Sequence, residues 1–331
     1  MKRVSVLGSG AWGTTLAQVL IDAGHDVLIW GRNSDVVEEI NAKKTNHSFL
    51  GSAILPDSIR ATTNVDEAFA FGEAIVLAIP AQSLRENLRN WKSKFPLDKP
   101  VISTLKGIES STCHRMTEIL SEELALENDH VGLITGPNLA GELILRQPAG
   151  AVGASTNPAL AALIVELFTT TYFRVYPSQD LVGCELAGAS KSVIALAVGM
   201  AVGLDLGENT QSMIITRGLT EVARFGSAYG AEPLTNLGLA GMGDLVASCG
   251  SPLSRNRTFG EAIGRAGTIA EAARNAKTVE GVASAPAILE LAHRVGVGVP
   301  IIEAVADVVS GKLNAIQAID RLMSVALEEE L

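Results

Sequence analysis

Residues 3–7 form the apolar run Arg-Val-Ser-Val-Leu. The turn Gly8-Ser-Gly10-Ala-Trp-Gly13 comes next, and a helix-forming stretch continues without a gap to Ala23 and Gly24. A strand, glycines at G-x-G-x-x-G spacing and an amphipathic helix in immediate succession confine the N-terminus to a βα unit. The first glycine permits the tight turn, the second lets backbone approach a pyrophosphate, and the third lets helix pack closely on strand. The helix then turns free N–H groups and its positive dipole end toward the phosphates. A second apolar run at residues 26–30 falls where a βαβ unit needs its next strand. Gly8, Gly10 and Gly13 are therefore expected to line a dinucleotide.

The residues after the second strand bear on which dinucleotide. An acid there would bind the ribose 2′-hydroxyl of NAD, whereas this chain has Gly31-Arg32-Asn33. An arginine pairs with a 2′-phosphate, so Arg32 leans the reading toward NADP (NADPH), with NAD also used. The nearby Asp35 leaves open that Arg32 is an ordinary surface arginine.

Up to about residue 176, β-rich apolar runs alternate with helical ones. Strands are expected at 3–7, 26–30, 74–78, 101–104, 131–135, 149–154 and 173–176. This alternation predicts an α/β Rossmann-type domain with a mostly parallel sheet, and ligands of such sheets sit beyond the carboxyl ends of the strands. The loops at 79–83, 105–109 and 136–140 fall there. Beyond Tyr176 the texture becomes alanine, leucine and glycine at helical spacing, which predicts an all-α C-terminal domain. Pro286 and Pro300 are each expected at the first position of a helix. The division is drawn as a dinucleotide-binding domain at 1–180 and a helical substrate-binding and catalytic domain at 181–331.

Two features of the helical part carry chemistry. Lys191 is the sole ionisable side chain between Glu185 and Asp205, in a run that otherwise reads as a buried helix. It must either snorkel to the surface or stand beside a functional cavity, where an alcohol-to-ketone redox step needs a proton acceptor. Further on, residues 238–257 gather Asp244, three serines, Arg255, Arg257 and Asn256 in one glycine-jointed stretch, although the chain as a whole has a formal net charge of -10. Paired arginines beside hydroxyl and amide donors fit an anionic, hydroxylated ligand, and the alternative is a loop of solvated arginines.

With 331 residues and 47% hydrophobic content the chain can build two domains. So acidic a balance argues against nucleic acid as a partner. Neither a secretory signal nor a membrane span is expected, and three scattered cysteines read as reduced thiols of a cytoplasmic protein. The histidines show no ligand spacing, so no metal is expected.

The stretches GSGAWGTTLA, STLKGIE, GPNLAGE, ELAGASKSVIALAVGMAVG, ITRGLTEVARFG and GLAGMGDLVASCGSPLSRNR resemble, in order and spacing, the bacterial-type NAD(P)-dependent glycerol-3-phosphate dehydrogenases, over nearly the whole chain. The glycine fingerprint is shared by many enzymes, whereas the Lys191 segment joined to GDL and SPLSRNR is specific. The resemblance implies reduction of dihydroxyacetone phosphate to sn-glycerol 3-phosphate, the backbone of phospholipids, by a homodimer. It makes Lys191 the proton donor and acceptor, with Lys106 and Asp244 as the other catalytic residues. Lys106, Gly136, Asn138, Lys191, Asp244, Ser254, Arg255 and Asn256 would bind substrate. Ala11 and Trp12 of the glycine turn, Arg32, Lys106, Ala140, Arg255, Val279 and Glu280 would join the three glycines on the cofactor.

Ser192, Asn138 and Ser248 stand where the family commonly has asparagine, serine or threonine, and threonine, which predicts altered contacts with activity kept. The segment before Val279 is one residue shorter than usual. Two rival readings stay open: a 3-hydroxyacid or ketopantoate-type reductase of the same architecture, and a dinucleotide sensor without turnover.

Overall fold

The computed structural model describes residues 1–274 and 279–324, without the side chain of Asn128. Thr278, beside the expected cofactor residues Val279 and Glu280, and the last residues of the expected second domain, 325–331, lie outside that range.

Eight strands, β1 (Arg3–Leu7), β2 (Asp26–Trp30), β3 (Arg60–Thr62), β4 (Ala74–Leu77), β5 (Val101–Ser103), β6 (Val131–Thr135), β7 (Ala149–Ala154) and β8 (Phe173–Ser178), form one sheet in the order 3-2-1-4-5-6-7-8. Neighbours pair in parallel except β6 with β7. Strand order reverses at β1, between β2 and β4, and the glycine turn leaves β1 at this switch point, where open α/β sheets receive ligands. The strands are buried on both faces. Val4, Val6, Val27, Ile29, Val76 and Ile102 feed one core, while Leu28, Trp30, Ile75, Leu77 and Val101 feed a second. That alternation is the two-residue period of a sheet covered by helices on each side.

The α/β Rossmann-type fold with a mostly parallel sheet, followed by a helix-rich region, is the architecture expected. Strand β3 was not: it has three residues, begins with Arg60, and is held at the edge by pairing with β2. Among the described residues no strand follows β8.

By contacts, the chain divides into one compact unit of Met1–Lys106 with His114–Glu185 and another of Gly107–Cys113 with Leu186–Leu331. The segment Gly107–Cys113 thus groups with the helices of the second unit, an excursion that two contiguous stretches of chain do not include. Inside that unit the Ile108 N–H donates to Ser284 Oγ at 3.2 Å.

The second unit is organised around the helix Leu181–Gly203, which begins in the first unit and continues from Leu186. A Cβ on Gly199 would lie 2.1 Å from Arg257 O, and one on Gly260 would lie 2.2 Å from Leu196 O. Glycines on both helices therefore let the Lys191 helix and the helix Arg255–Ala266 pack backbone on backbone. Pro300 opens the helix Pro300–Val309 as expected. Pro286 does not open one: it lies inside the helix Glu280–Arg294, which is capped by Val279 and starts well over a turn earlier. The missing proline N–H leaves that helix one hydrogen bond short, and its buried face, from Gly281 to Ala292, holds it in place.

Candidate active site

In the first unit the three fingerprint glycines carry different burdens. Gly8 has φ +133° and a Cβ there would meet Ala78 O at 2.3 Å, so both conformation and space require glycine. A Cβ on Gly13 would fall 1.9 Å from Gly8 O, the close contact of helix on strand. At Gly10 no atom lies within 4 Å of where a side chain would begin. Nothing within the chain demands glycine there, which fits a position kept open for a ligand. Gly10 caps the helix Ala11–Asp22 without a side-chain hydrogen bond, and no acid occupies the first turn. The orphan amides of that turn, with Ala11 and Trp12 half-buried beside them, fit a pyrophosphate.

Arg32 is exposed at the end of β2. The neighbouring Asn33 is committed elsewhere, because its Oδ1 accepts from Asp35 N at 2.9 Å and Val36 N at 3.4 Å and so caps the next helix. Arg32 itself is an exposed cation beside that cap.

At the carboxyl ends of β5 and β6 the structure brings together Lys106, Gly136 and Asn138. Lys106 Nζ donates to Gly136 O at 3.0 Å, and Asn138 Nδ2 donates to Gly150 O at 3.0 Å, which ties the loop to β7. Gly136 has φ +146° and leaves no room for a side chain, its Cβ position being 2.9 Å from Ala151 Cα. Ala140 begins the short helix Ala140–Leu143 that closes this loop.

In the second unit Lys191 does not snorkel. Its side chain is 13% exposed and its ammonium lies 3.0 Å from Asp244 Oδ1. It also donates to Ser248 Oγ at 2.7 Å, and Ser248 Oγ in turn donates to Asp244 Oδ1 at 3.3 Å. Asp244 and Ser248 sit one turn apart on the helix Asp244–Gly250, so both side chains face the lysine. That helix is entered through a π-helical turn, Leu239–Gly243. A Cβ on Gly241 would lie 2.3 Å from Asn236 O, which explains the glycine at that position. Cys249 lies beside the cluster, and burial pushes its thiol up to about 12, so it stays protonated and takes no part in proton exchange.

The helix Arg255–Ala266 begins where the phosphate-binding residues were expected. Ser254 caps it, accepting from Arg257 N at 3.4 Å, and Arg255 is the exposed first residue. Asn256, next along the helix, accepts on its Oδ1 from Gly281 N at 3.0 Å. It ties the start of the helix Glu280–Arg294, and with it Val279 and Glu280, to the serine-arginine helix, leaving its amide N–H groups for a ligand. Ser248 was legible in the sequence only as a threonine replacement.

The family model for the NAD-dependent glycerol-3-phosphate dehydrogenase N-terminus matches residues 3–161, and that for the C-terminus of the same family matches residues 180–320. The chain is 45% identical over 329 residues to the glycerol-3-phosphate dehydrogenase (NAD(P)+) of Streptomyces griseus, covering 99% of this chain and 98% of the relative. It is 46% identical over 323 residues to the protein of the same name from Corynebacterium diphtheriae, covering 97% and 98%. The crystal structure of glycerol-3-phosphate dehydrogenase from Coxiella burnetii superimposes with a TM-score of 0.91 at 31% identity, covering 98% of this chain and 99% of that one.

Proposed function

The chain belongs to the NAD-dependent glycerol-3-phosphate dehydrogenase family, and from that premise we propose that Lys191, with Asp244 and Ser248, handles the proton of its reaction. The protein is an NAD(P)-dependent dehydrogenase acting on the CH–OH group of glycerol 3-phosphate. The observation that carries the proposal is a largely buried ammonium, in a helix otherwise apolar, engaged by one carboxylate and one hydroxyl.

An ammonium has three protons. Asp244 and Ser248 take one each and fix the direction of the third, which is free for the C2 oxygen of dihydroxyacetone phosphate. The hydride for C2 would come from a reduced dinucleotide bound at the glycine turn. Lys191 gives its proton to the developing alkoxide, and in the oxidative direction the neutral amine takes it back. Arg255, the Asn256 amide and the N-terminus of the helix Arg255–Ala266 offer the substrate phosphate a cation, a neutral donor and a dipole end. Lys106, held by Gly136, offers a cation within the first unit.

The helix Leu181–Gly203 is long and apolar enough to cross a membrane, but 89% of its most apolar window is buried, as befits a core helix. We read the protein as a cytoplasmic homodimer, with exposed Leu234, Leu237 and Val246 supplying apolar surface for self-association. The test of function is consumption of NADPH and NADH with dihydroxyacetone phosphate against unphosphorylated dihydroxyacetone. Turnover that needs the phosphate supports the reading; preference for an oxo acid would return it to the 3-hydroxyacid or ketopantoate-type reductases, whose substrate carries a carboxylate.

A further inference from the structure

Asn46 belongs to no motif, yet its side chain is fully buried against the glycine turn. Its Nδ2 donates to Ser9 O at 2.9 Å and to Thr14 Oγ1 at 2.9 Å, so both amide protons are used. Its Oδ1 is buried and meets no hydrogen-bond partner among the described residues. An unmet buried acceptor costs about 1–3 kcal/mol, a cost that an apolar side chain here would avoid. The site therefore holds asparagine for its two donors.

The backbone around Asn46 is arranged to deliver them. Lys44 ends the preceding helix in the left-handed region at φ 54°, its carbonyl accepts from Leu55 N at 2.8 Å, and its ammonium donates to Ile59 O at 2.9 Å. On either side of Asn46, Thr45 Oγ1 and His47 N both donate to Glu39 Oε1, at 2.7 and 2.9 Å. Asn46 is thus pinned on both flanks before it reaches Ser9.

Ser9 O belongs to the Ser9–Gly10 peptide. In a planar trans peptide the carbonyl and the following N–H point in opposite directions. Ser9 O is held toward Asn46 and toward Thr14 Oγ1, which donates to it at 3.4 Å, and this consequently aims the N–H of Gly10, the N-cap of the helix Ala11–Asp22, the other way. A flip of that peptide would turn a carbonyl dipole toward any phosphate bound there, and it cannot occur without breaking the Asn46 hydrogen bond.

We propose that Asn46 is a positioning residue for the dinucleotide, locking the Ser9–Gly10 peptide in the orientation that receives the pyrophosphate; the inference rests on the dinucleotide reading of the glycine turn. It acts on the part common to both cofactors, so it sets affinity without choosing between NADPH and NADH. In Asn46→Ala the Kd values of NADPH and NADH, titrated by their fluorescence on binding, rise by the same factor, about tenfold or more. The KM of each dinucleotide rises with its Kd, while kcat and the KM of dihydroxyacetone phosphate stay near wild type. Thr14→Val, which at nearly constant shape removes the second acceptor of Asn46 and the 3.4 Å hydrogen bond that Thr14 Oγ1 itself donates to Ser9 O, also gives an equal rise for the two dinucleotides. Failure of wild type to bind either dinucleotide would sink the functional reading itself. A Kd within twofold of wild type in Asn46→Ala, or in Thr14→Val should the first variant not fold, overturns the inference. So does a loss confined to kcat, the mark of a general structural defect.

Discussion

Lys191 donates a 2.7 Å hydrogen bond to Ser248, a residue 57 positions further along the chain, and the two share the Asp244 carboxylate. The ammonium is thereby aimed as well as neutralised. Removing the amine and removing the hydroxyl should have different consequences. Lys191→Ala should lower kcat by about 10²–10⁴, the range for loss of a general acid and base, with dinucleotide affinity unchanged. Ser248→Ala keeps the proton donor and loosens its aim, so a loss of about tenfold in kcat/KM is expected, in line with one hydrogen bond to a charged group. Ser248→Thr keeps the hydroxyl and should recover most of it. Stopped-flow turnover beside a binding titration checks all three, and a Lys191→Ala protein that no longer binds dinucleotide would assign the lysine a structural role.

Gly10 and Gly13 separate ligand from fold. A methyl group on Gly13 has nowhere to go, with Gly8 O at 1.9 Å, whereas one on Gly10 meets nothing. Gly13→Ala should destabilise the protein by about 2–3 kcal/mol through overpacking. Gly10→Ala should melt at or above the wild-type temperature and yet bind NADPH and NADH poorly. Calorimetry beside a fluorescence titration reads both; normal dinucleotide affinity in Gly10→Ala would remove the reason given for that open space.

Arg32 offers a sharper cofactor test, because Asn33 is occupied in capping the next helix. Arg32→Ala should weaken NADPH by about tenfold to a hundredfold, the worth of a charge-assisted hydrogen bond, and leave NADH nearly as it was. Equal weakening of the two would mean that the arginine does not read the 2′-phosphate.

The glycine turn was legible because its requirements are local: a positive φ at Gly8 and a close approach at Gly13 are set within a few residues of chain and its neighbouring strand. Lys191 was legible because a charge in an apolar helix must be explained. Ser248 and Asn46 were not, since the partner that gives each its meaning lies 57 and 37 positions away. Strand β3 escaped because three residues beginning with Arg60 carry no periodicity and are ordered by β2 alone. Pro286 misled for a related reason: preference for the first turn of a helix is a local bias, and the packing of Gly281, Ser284 and Ile288 outweighs it.

Glu221 should give the protein a stability component that fades toward alkaline pH. Its carboxylate, 2% exposed, accepts from Ile301 N at 2.8 Å and Ile302 N at 3.2 Å, at the start of the helix Pro300–Val309. Burial pushes its pKa up from 4.5 to about 7, and the two amides with Arg224 and Arg217 offset only part of that rise. The folded state therefore holds this proton more tightly than the unfolded chain does. The stabilisation linked to it is complete below pH 4.5 and is lost as pH rises through about 7. Glu221→Gln keeps a carbonyl for the helix amides and has no charge to bury. Relative to that variant the wild type should lose on the order of 3 kcal/mol between acid and alkaline conditions, an upper bound from the size of the shift. Melting temperatures of both proteins across that window test this, and a difference that stays constant with pH would show that folding leaves the pKa of Glu221 where the unfolded chain has it.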